Sequence, residues 1–431
     1  MGDTQKSQTI STENQGIASQ EACDTRLVSE CPENDKPPVL VGESSLVRIR
    51  MPAEANPDLV FRSLAHRIDL SLLQKSFRQL RKNESIGVDK ITAKEYAVNL
   101  DENLYNLYQR LRRGQYVATP VKRIWVDKED GEKRPIGIPA LEDKIVQKAV
   151  TTILGIVYEP IFHDFSHGFR SGHSQHKALS ELREKCNNLN INWILSADIT
   201  GLFDNIPHNL LRETIRHRVN DGGILRLIGK WLNAGVAEGG DIIYPEKGTF
   251  QGGVISPVLS NIFLHYVLDE WFVKEVEPRM KGKCFLNQYA DDFIIGFQLE
   301  SDAKQIMEVL PKRFNRYELS LHPVKTKLIP FGKPTISGKP KGTFDFLGFT
   351  FYWGKTLKGY WVIKKQTARK RLKRFLRMLW NWCKKNRHEP IEKQHNILSS
   401  KLQGHPCRFP KLSIIFDNLQ VAKLCANRGV A

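Results

Sequence analysis

Two adjacent acids, Asp291 and Asp292, sit between the apolar runs 284–286 and 293–297. Apolar runs of that length broken by a short polar step read as strand, tight turn, strand. The acid pair then stands at the tip of a hairpin, held rigidly and facing solvent or a cleft. Carboxylates so close repel each other unless a cation lies between them, and hard divalent cations prefer carboxylate oxygen. Another apolar run, 191–197, ends in Asp198. An acid at the exit of a buried strand can face the hairpin acids across a sheet. Three carboxylates from two neighbouring strands suit two divalent ions about 3.5–4 Å apart. The plainer role for Asp198 alone is a helix cap, and a cap is the expected role of Asp204, just before Pro207. Asp292 can ligate directly or support its neighbours.

The chain has 431 residues and a formal charge of +18. Its length calls for two or three domains sharing a large core. Its charge favours a polyanionic partner, most simply nucleic acid. Residues 1–45 run against the trend with eight acids and three bases, are polar, and read as a disordered leader. No run approaches the ~18 apolar residues that would span a bilayer, so no membrane partner is expected. Seven scattered cysteines without a CxxC pair read as reduced thiols of a cytoplasmic protein.

Periodicity predicts helices through most of 57–116, on the stripes Leu70, Leu72, Leu73, Phe77, Leu80 and Leu100, Leu104, Leu107, Leu111. A strand follows at 121–126, with a hairpin turn at Asp130-Gly131. Helices are predicted at 145–157, after Pro207, and at 254–268, and a further apolar hairpin strand at 344–353. Lys128 and Arg134 flank the Asp130 turn, and a basic pair on a hairpin can clamp phosphates, Lys as a point charge and Arg as a fork. The alternative is a solvated turn, since Glu129, Asp130, Glu132 and Lys133 are charged as well. Residues 364–387 are predicted as one strongly basic helix, with eleven Lys or Arg and no acid. Leu372, Phe375, Leu376 and Leu379 give that segment one apolar face, leaving a cationic rail for a phosphate backbone. Trp380 and Trp382 can stack on bases or pack in the core. His163, His167, His173 and His176 have no Cys among them and no zinc-like spacing, so no zinc is expected.

Eight blocks in order make the chain resemble group II intron-encoded reverse transcriptases, also called maturases. They are Gly87-Val88-Asp89; Arg134-Pro135-Ile136-Gly137-Ile138-Pro139; Ser166-His167-Gly168-Phe169-Arg170; 198–204; Gln251-Gly252-Gly253-Val254-Ile255-Ser256-Pro257; Tyr289-Ala290-Asp291-Asp292; Lys325-Thr326; and Phe346-Leu347-Gly348-Phe349. The resemblance implies an α+β right-hand polymerase of fingers, palm with an antiparallel sheet, and helical thumb. It places an N-terminal extension and fingers at 46–190, palm at 191–355, and thumb at 360–405. Asp198, Asp291 and Asp292 become the catalytic, metal-binding triad, holding two Mg²⁺ ions, with Mn²⁺ as a substitute. Lys128 and Arg134 match the triphosphate-binding pair. Phe203 matches an aromatic that abuts the sugar 2′ position, with core packing as its alternative, and Gln251 a contact to nucleotide and template. Arg170 and Lys325, and Arg369, Lys370, Lys373, Arg374 and Arg377 of the thumb, become nucleic-acid contacts. The implied partners are group II intron RNA, an RNA template with a DNA primer, and deoxynucleoside triphosphates. The implied setting is a bacterial cytoplasm.

The chain departs from the family pattern at Thr200 and Gln288, where Lys and Arg are common, and at Lys90, where Gly is common. Beyond His405 the segment Pro406-Cys407-Arg408-Phe409-Pro410 breaks the pattern. An incomplete thumb and a divergent tail at 406–431 are therefore expected, with no DNA-binding or endonuclease domain after them. Two alternatives share much of this sequence: an RNA-binding splicing cofactor with lost or dispensable polymerase activity, and a host-adopted defence or repair reverse transcriptase. The intact acids favour the enzyme.

Overall fold

The computed structural model describes residues 44–80, 85–127, 133–335 and 338–408. Lys128, the Asp130-Gly131 turn, the leader up to residue 43 and the tail from 409 lie outside the described residues. Helices α1 (Ser44–Ala55), α2 (Leu70–Gln79), α3 (Ala93–Val98) and α4 (Leu100–Arg112) come first. Asp69 caps α2, and Thr92 with Glu95 forms a full capping box on α3. Strands β1 (Val121–Asp127) and β2 (Lys133–Ile138) precede α5 (Leu141–Tyr158) and α6 (Gln175–Asn188). Next come β3 (Trp193–Asp198), α7 (Leu202–Asn205), α8 (His208–Arg216), α9 (Gly222–Leu232), β4 (Val236–Glu238), β5 (Asp241–Ile243) and α10 (Ser256–Leu264). The acid hairpin is β6 (Cys284–Tyr289) and β7 (Asp292–Phe297), followed by α11 (Glu300–Asn315) and β8 (Lys327–Pro330). Strands β9 (Phe344–Phe346), β10 (Phe349–Lys355) and β11 (Trp361–Thr367) lead to α12 (Arg369–Asn386) and α13 (Ile391–Arg408).

The strands form three sheets. One has the order β6-β7-β3-β8 and is antiparallel throughout. The second, β2-β1-β4-β5, contains a single parallel pair, β1 with β4. The third is β11-β10-β9. This is the expected α+β class, with helices packed on largely antiparallel sheets. Among the described residues, 44–380 form one unit that holds all three sheets. Among the described residues, 381–408 belong to a second unit, in which the Lys401 ammonium lies 6.0 Å from the Trp382 ring centroid. No described helix is long and apolar enough to cross a membrane.

Helix α5 is the axis of the core, with buried residues on every side of its surface. A helix so enclosed needs its polar groups satisfied. Asp89 accepts from the Leu141 amide at 3.3 Å, doing the work that Ala140 at the N-cap cannot. Lys144 donates to the Ser85 carbonyl at 2.8 Å. Buried Asp143 accepts from the Tyr116 hydroxyl and from the Thr119 amide, and burial pushes its carboxyl up to about 6. Gly87 is required where it is, because a Cβ would come within 2.8 Å of the Ala140 Cα. The Gly87-Val88-Asp89 block is thus a helix-starting device. Lys90 adopts φ 58, the left-handed region that favours glycine, which accounts for the glycine common at that place.

Several expectations are corrected. The basic segment is not one helix from 364: residues up to Thr367 lie in β11, because they complete a seven-pair ladder with β10. The helix starts at Arg369, and its apolar face is narrower than expected, with Leu379 buried and Leu376 exposed. The 344–353 strand is two strands, turned by Leu347 (φ 49) and Gly348 (φ 81). The 254–268 helix is regular only to Leu264 and becomes π-helical over His265–Asp269. Asp204 does not cap α8, whose N-cap is Pro207 without a side-chain bond. Helix α13 continues through Pro406 to Arg408, past the point where the sequence pattern breaks.

Within the acid-bearing sheet, Gly296 stands opposite Phe285, whose ring occupies the space a Cβ would take. Gly296→Ala should destabilise the fold by about 1–3 kcal/mol, the usual cost of overpacking. Urea denaturation measures it, and an unchanged midpoint would contradict this packing.

Candidate active site

The pairing of β3 with β7 puts Asp198 directly opposite Asp292, and the same residue Asp292 pairs with Tyr289 across the hairpin. Asp291 stands in the turn, where Ala290 takes a left-handed φ of 57. The backbone around the acids is fixed from two sides. The Ile199 amide donates to the Asp291 carbonyl at 3.4 Å, and the His322 amide to the Asp198 carbonyl at 2.8 Å. The three sequence-predicted acids are therefore together, at one end of the four-stranded sheet.

Their electrostatics follow from this crowding. Burial, then the charges of Asp291 and Asp198, push the Asp292 carboxyl up to about 7. Burial and Asp198 also raise Asp291, opposed by the charges of Arg134 and Lys325. Lys325 places its ammonium 2.7 Å from Asp198 Oδ2. A cluster of partly buried carboxylates that repel one another, with an ammonium beside them, is one that a divalent cation would fit. The donor set, all hard carboxylate oxygen, suits such an ion.

The other expected contacts separate into groups. Arg134 lies exposed on β2, and its field reaches Asp291. Gln251 is tied to the same strand, since the Gly137 amide donates to its carbonyl at 2.7 Å. Gly252 (φ 109) is needed there, because a Cβ would lie 2.7 Å from the Gly137 carbonyl oxygen. Phe203, the second residue of α7, is buried against Phe169, with ring centroids 6.4 Å apart at 80°. Its carbonyl accepts from the Thr249 amide, two residues before Gln251. Arg134, Gln251 and Phe203 thus sit on connected backbone beside the acids. Arg369, Lys370, Lys373, Arg374 and Arg377 are all exposed on α12.

Two expected nucleic-acid contacts are placed differently. Arg170 is 5 % exposed at its side chain and is committed to protein groups. It pairs with Glu159 and donates to the carbonyls of Phe162, His163 and Ser166. Lys325 joins the acids through Asp198. Linear spacing carries no sign of that pairing, as the two residues are 127 apart. Two of the four histidines meet and His163 lies with other partners. His167 pairs with Glu181 and contacts His173. His163 meets Glu270 and His265, with donor atoms within 4.8 Å of one another, and Lys274 forms an ion pair with the same Glu270.

The raised Asp292 carboxyl has a consequence for stability. A group with a folded pKa near 7 and an unfolded value near 3.8 binds an extra proton in the folded state between those limits. Stability therefore falls as pH rises through about 4 to 7. In EDTA, wild type should lose melting temperature over that range relative to Asp292→Asn, and added Mg²⁺ should restore it most above pH 7. Parallel melting curves for the two proteins would disprove this.

Residues 126–351, just over half of the chain and including all three acids, match the family described as "Reverse transcriptase (RNA-dependent DNA polymerase)". The chain is 35 % identical over 222 residues to the group II intron-encoded protein LtrA of Lactococcus lactis subsp. cremoris, covering 51 % of this chain and 37 % of that protein. It is 35 % identical over 182 residues to protein YkfC of Escherichia coli K12, covering 42 % and 48 %. It is 39 % identical over 177 residues to an uncharacterized 91 kDa protein in the cob intron of Schizosaccharomyces pombe, covering 41 % and 21 %. The matched stretch is thus less than half the length of each relative. A four-stranded sheet that lines up three acids, and a family match spanning that sheet, agree: the chain belongs to the reverse transcriptase family, in the likeness of its group II intron-encoded members.

Proposed function

We propose that the protein is the RNA-directed DNA polymerase of a group II intron, joining deoxynucleotides to a DNA primer on an RNA template. The observation that carries this is the register of β3 on β7, which sets Asp198 against Asp292 beside Asp291. In the reaction the primer 3′-oxygen forms a bond to the α-phosphorus of a deoxynucleoside triphosphate, and the bond to pyrophosphate breaks. Reverse transcriptase domains generally use divalent ions. Here two Mg²⁺, or Mn²⁺ in their place, held by Asp198, Asp291 and Asp292, would activate the hydroxyl and offset charge on the leaving group. Arg134, with Lys128, binds the triphosphate. Gln251 lines the nucleotide and template, and Phe203 stands against the sugar. The exposed cations of α12 bind phosphates of the template–primer duplex and of the intron RNA, which gives a maturase role in splicing and retromobility. In this scheme residues 46–190 are N-terminal extension and fingers, 191–355 palm, and 360–405 thumb. The setting is a bacterial cytoplasm, and neither zinc nor a membrane takes part in the reaction.

Primer extension on poly(rA) with Mg²⁺ tests the assignment. Asp291→Ala should lose more than the roughly 10–100-fold that loss of even a supporting partner of a metal site costs. Equal activity in both proteins would refute the acid site. Absence of extension by wild type, with tight binding of intron RNA, would favour the splicing-cofactor reading. Phe203→Val should raise ribonucleotide incorporation relative to deoxynucleotide. Unchanged sugar selectivity would leave Phe203 with its packing role alone.

A further inference from the structure

The acid turn is supported from behind by a loop more than a hundred residues earlier in the chain. Strand β6 is the edge of its sheet, and residues 165–168 cover its free side. Ser166 makes a parallel bridge to Gln288. The His167 amide donates to the Gln288 carbonyl, and the Gln288 amide to the Phe165 carbonyl, each at 2.9 Å. At Gly168 the loop comes so near the turn that a Cβ would lie 2.5 Å from the Ala290 nitrogen and 3.1 Å from its Cα. Asn261 of α10 fixes this approach by donating to the Gly168 carbonyl at 2.6 Å. The Gln288 side chain, fully buried, donates to the Ala290 carbonyl at 3.1 Å.

The loop in turn takes its shape from Arg170. Nη1 donates to the carbonyls of His163 and Ser166 at 2.6 Å, Nη2 donates to that of Phe162 at 3.3 Å, and Glu159 neutralises the charge at 3.0 Å. One guanidinium thus gathers three carbonyls of a single turn. An ammonium, a single nitrogen on a flexible stem, cannot hold that fan of acceptors in one plane. Ala290 needs such support. A non-glycine residue in the left-handed region persists where its surroundings over-determine it. Asp291 and Asp292, next in the chain, also stand against the like charge of Asp198 across β3 and β7.

We propose that Arg170 and Gly168 are positioning residues for divalent-ion binding. They fix Ala290, and through it the spacing of the Asp291 and Asp292 carboxylates from Asp198. The proposal rests on the acid-site reading, since it concerns the same three carboxylates. Metal sites tolerate only about 0.5 Å of misplacement, so a shift of the turn should appear first as weakened ion affinity.

The test compares wild type, Arg170→Gln, Arg170→Lys, Gly168→Ala and Asp291→Ala, each bound to a primer–template duplex. Mn²⁺ binding is read by electron paramagnetic resonance without nucleotide, alongside duplex affinity and the Mg²⁺ dependence of extension. Arg170→Gln and Gly168→Ala should weaken Mn²⁺ binding about 10–100-fold, as loss of supporting partners does, with duplex affinity within about twofold. Arg170→Lys should fall between Arg170→Gln and wild type. Gly168→Ala leaves every Arg170 anchor in place, so it probes the contact with Ala290 apart from folding of the loop. Wild-type Mn²⁺ affinity in both variants would overturn the proposal, whatever happens to activity. Weakened duplex binding with normal Mn²⁺ affinity would also overturn it and return Arg170 to the template. If Asp291→Ala binds Mn²⁺ and extends primers as wild type does, the acid-site reading itself is what has failed.

Discussion

Three carboxylates held against their own repulsion at the end of one sheet are the constraint on which the rest of this structure depends. Like charges directly opposite one another on paired strands destabilise a sheet. Here Asp198 and Asp292 are such a pair, and Asp291 adjoins them. The sheet tolerates this because its interior is firmly packed. Phe293, next to Asp292, stacks on Phe314 of α11 with ring centroids 5.9 Å apart. Ile294, Ile295 and Phe297 are fully enclosed. The register resists slipping to relieve the repulsion, since a one-residue shift would exchange the two packed faces of β7 and misfit every one of those side chains. Lys325 offsets part of the remaining charge through Asp198.

Around the acids the backbone forms a connected surround. Strand β2, carrying Arg134, bonds to the Gln251 loop, and Thr249 in that loop bonds to Phe203. Phe203 meets Phe169, and Gly168 beside it presses on Ala290. The close approaches at Gly168 and Gly252 leave no room for a side chain, so the spacing of Arg134, Gln251 and Phe203 around the acids is set by backbone contact. Such contacts give less than side-chain rotamers do, and precise spacing is what the proposed attack of a hydroxyl on an α-phosphate needs.

Much of this was legible in the residues. The apolar runs on either side of Asp291-Asp292 and before Asp198 announce the strands, because burial on both faces leaves little room for polar residues. The turn announces itself by two adjacent acids that no core could hold. Segments went astray where local pattern and tertiary pairing compete. Residues 364–367 carry helix-compatible lysines, yet β10 offers them a ladder, and Lys364 and Lys365 lay their stems along that sheet. Leu376 has the spacing of a core residue but is exposed, because the helix buries little beyond Leu379. Arg170 has the composition of a template contact, and its acceptors are main-chain carbonyls, which leave no mark in a sequence.

The sequence by itself determined the residue types that the chemistry needs, their order, and the strand and helix periods that carry them. Those are local properties, written in alternation, capping residues and glycines at tight approaches. Only the tertiary structure decided which groups meet: Asp198 with Asp292 and Lys325, Gly168 with Ala290, and Arg170 with the carbonyls of its own turn. The physical reason is that register and long-range packing are settled by burial summed over the whole core, and the partners of a charged group are whatever that packing brings within reach.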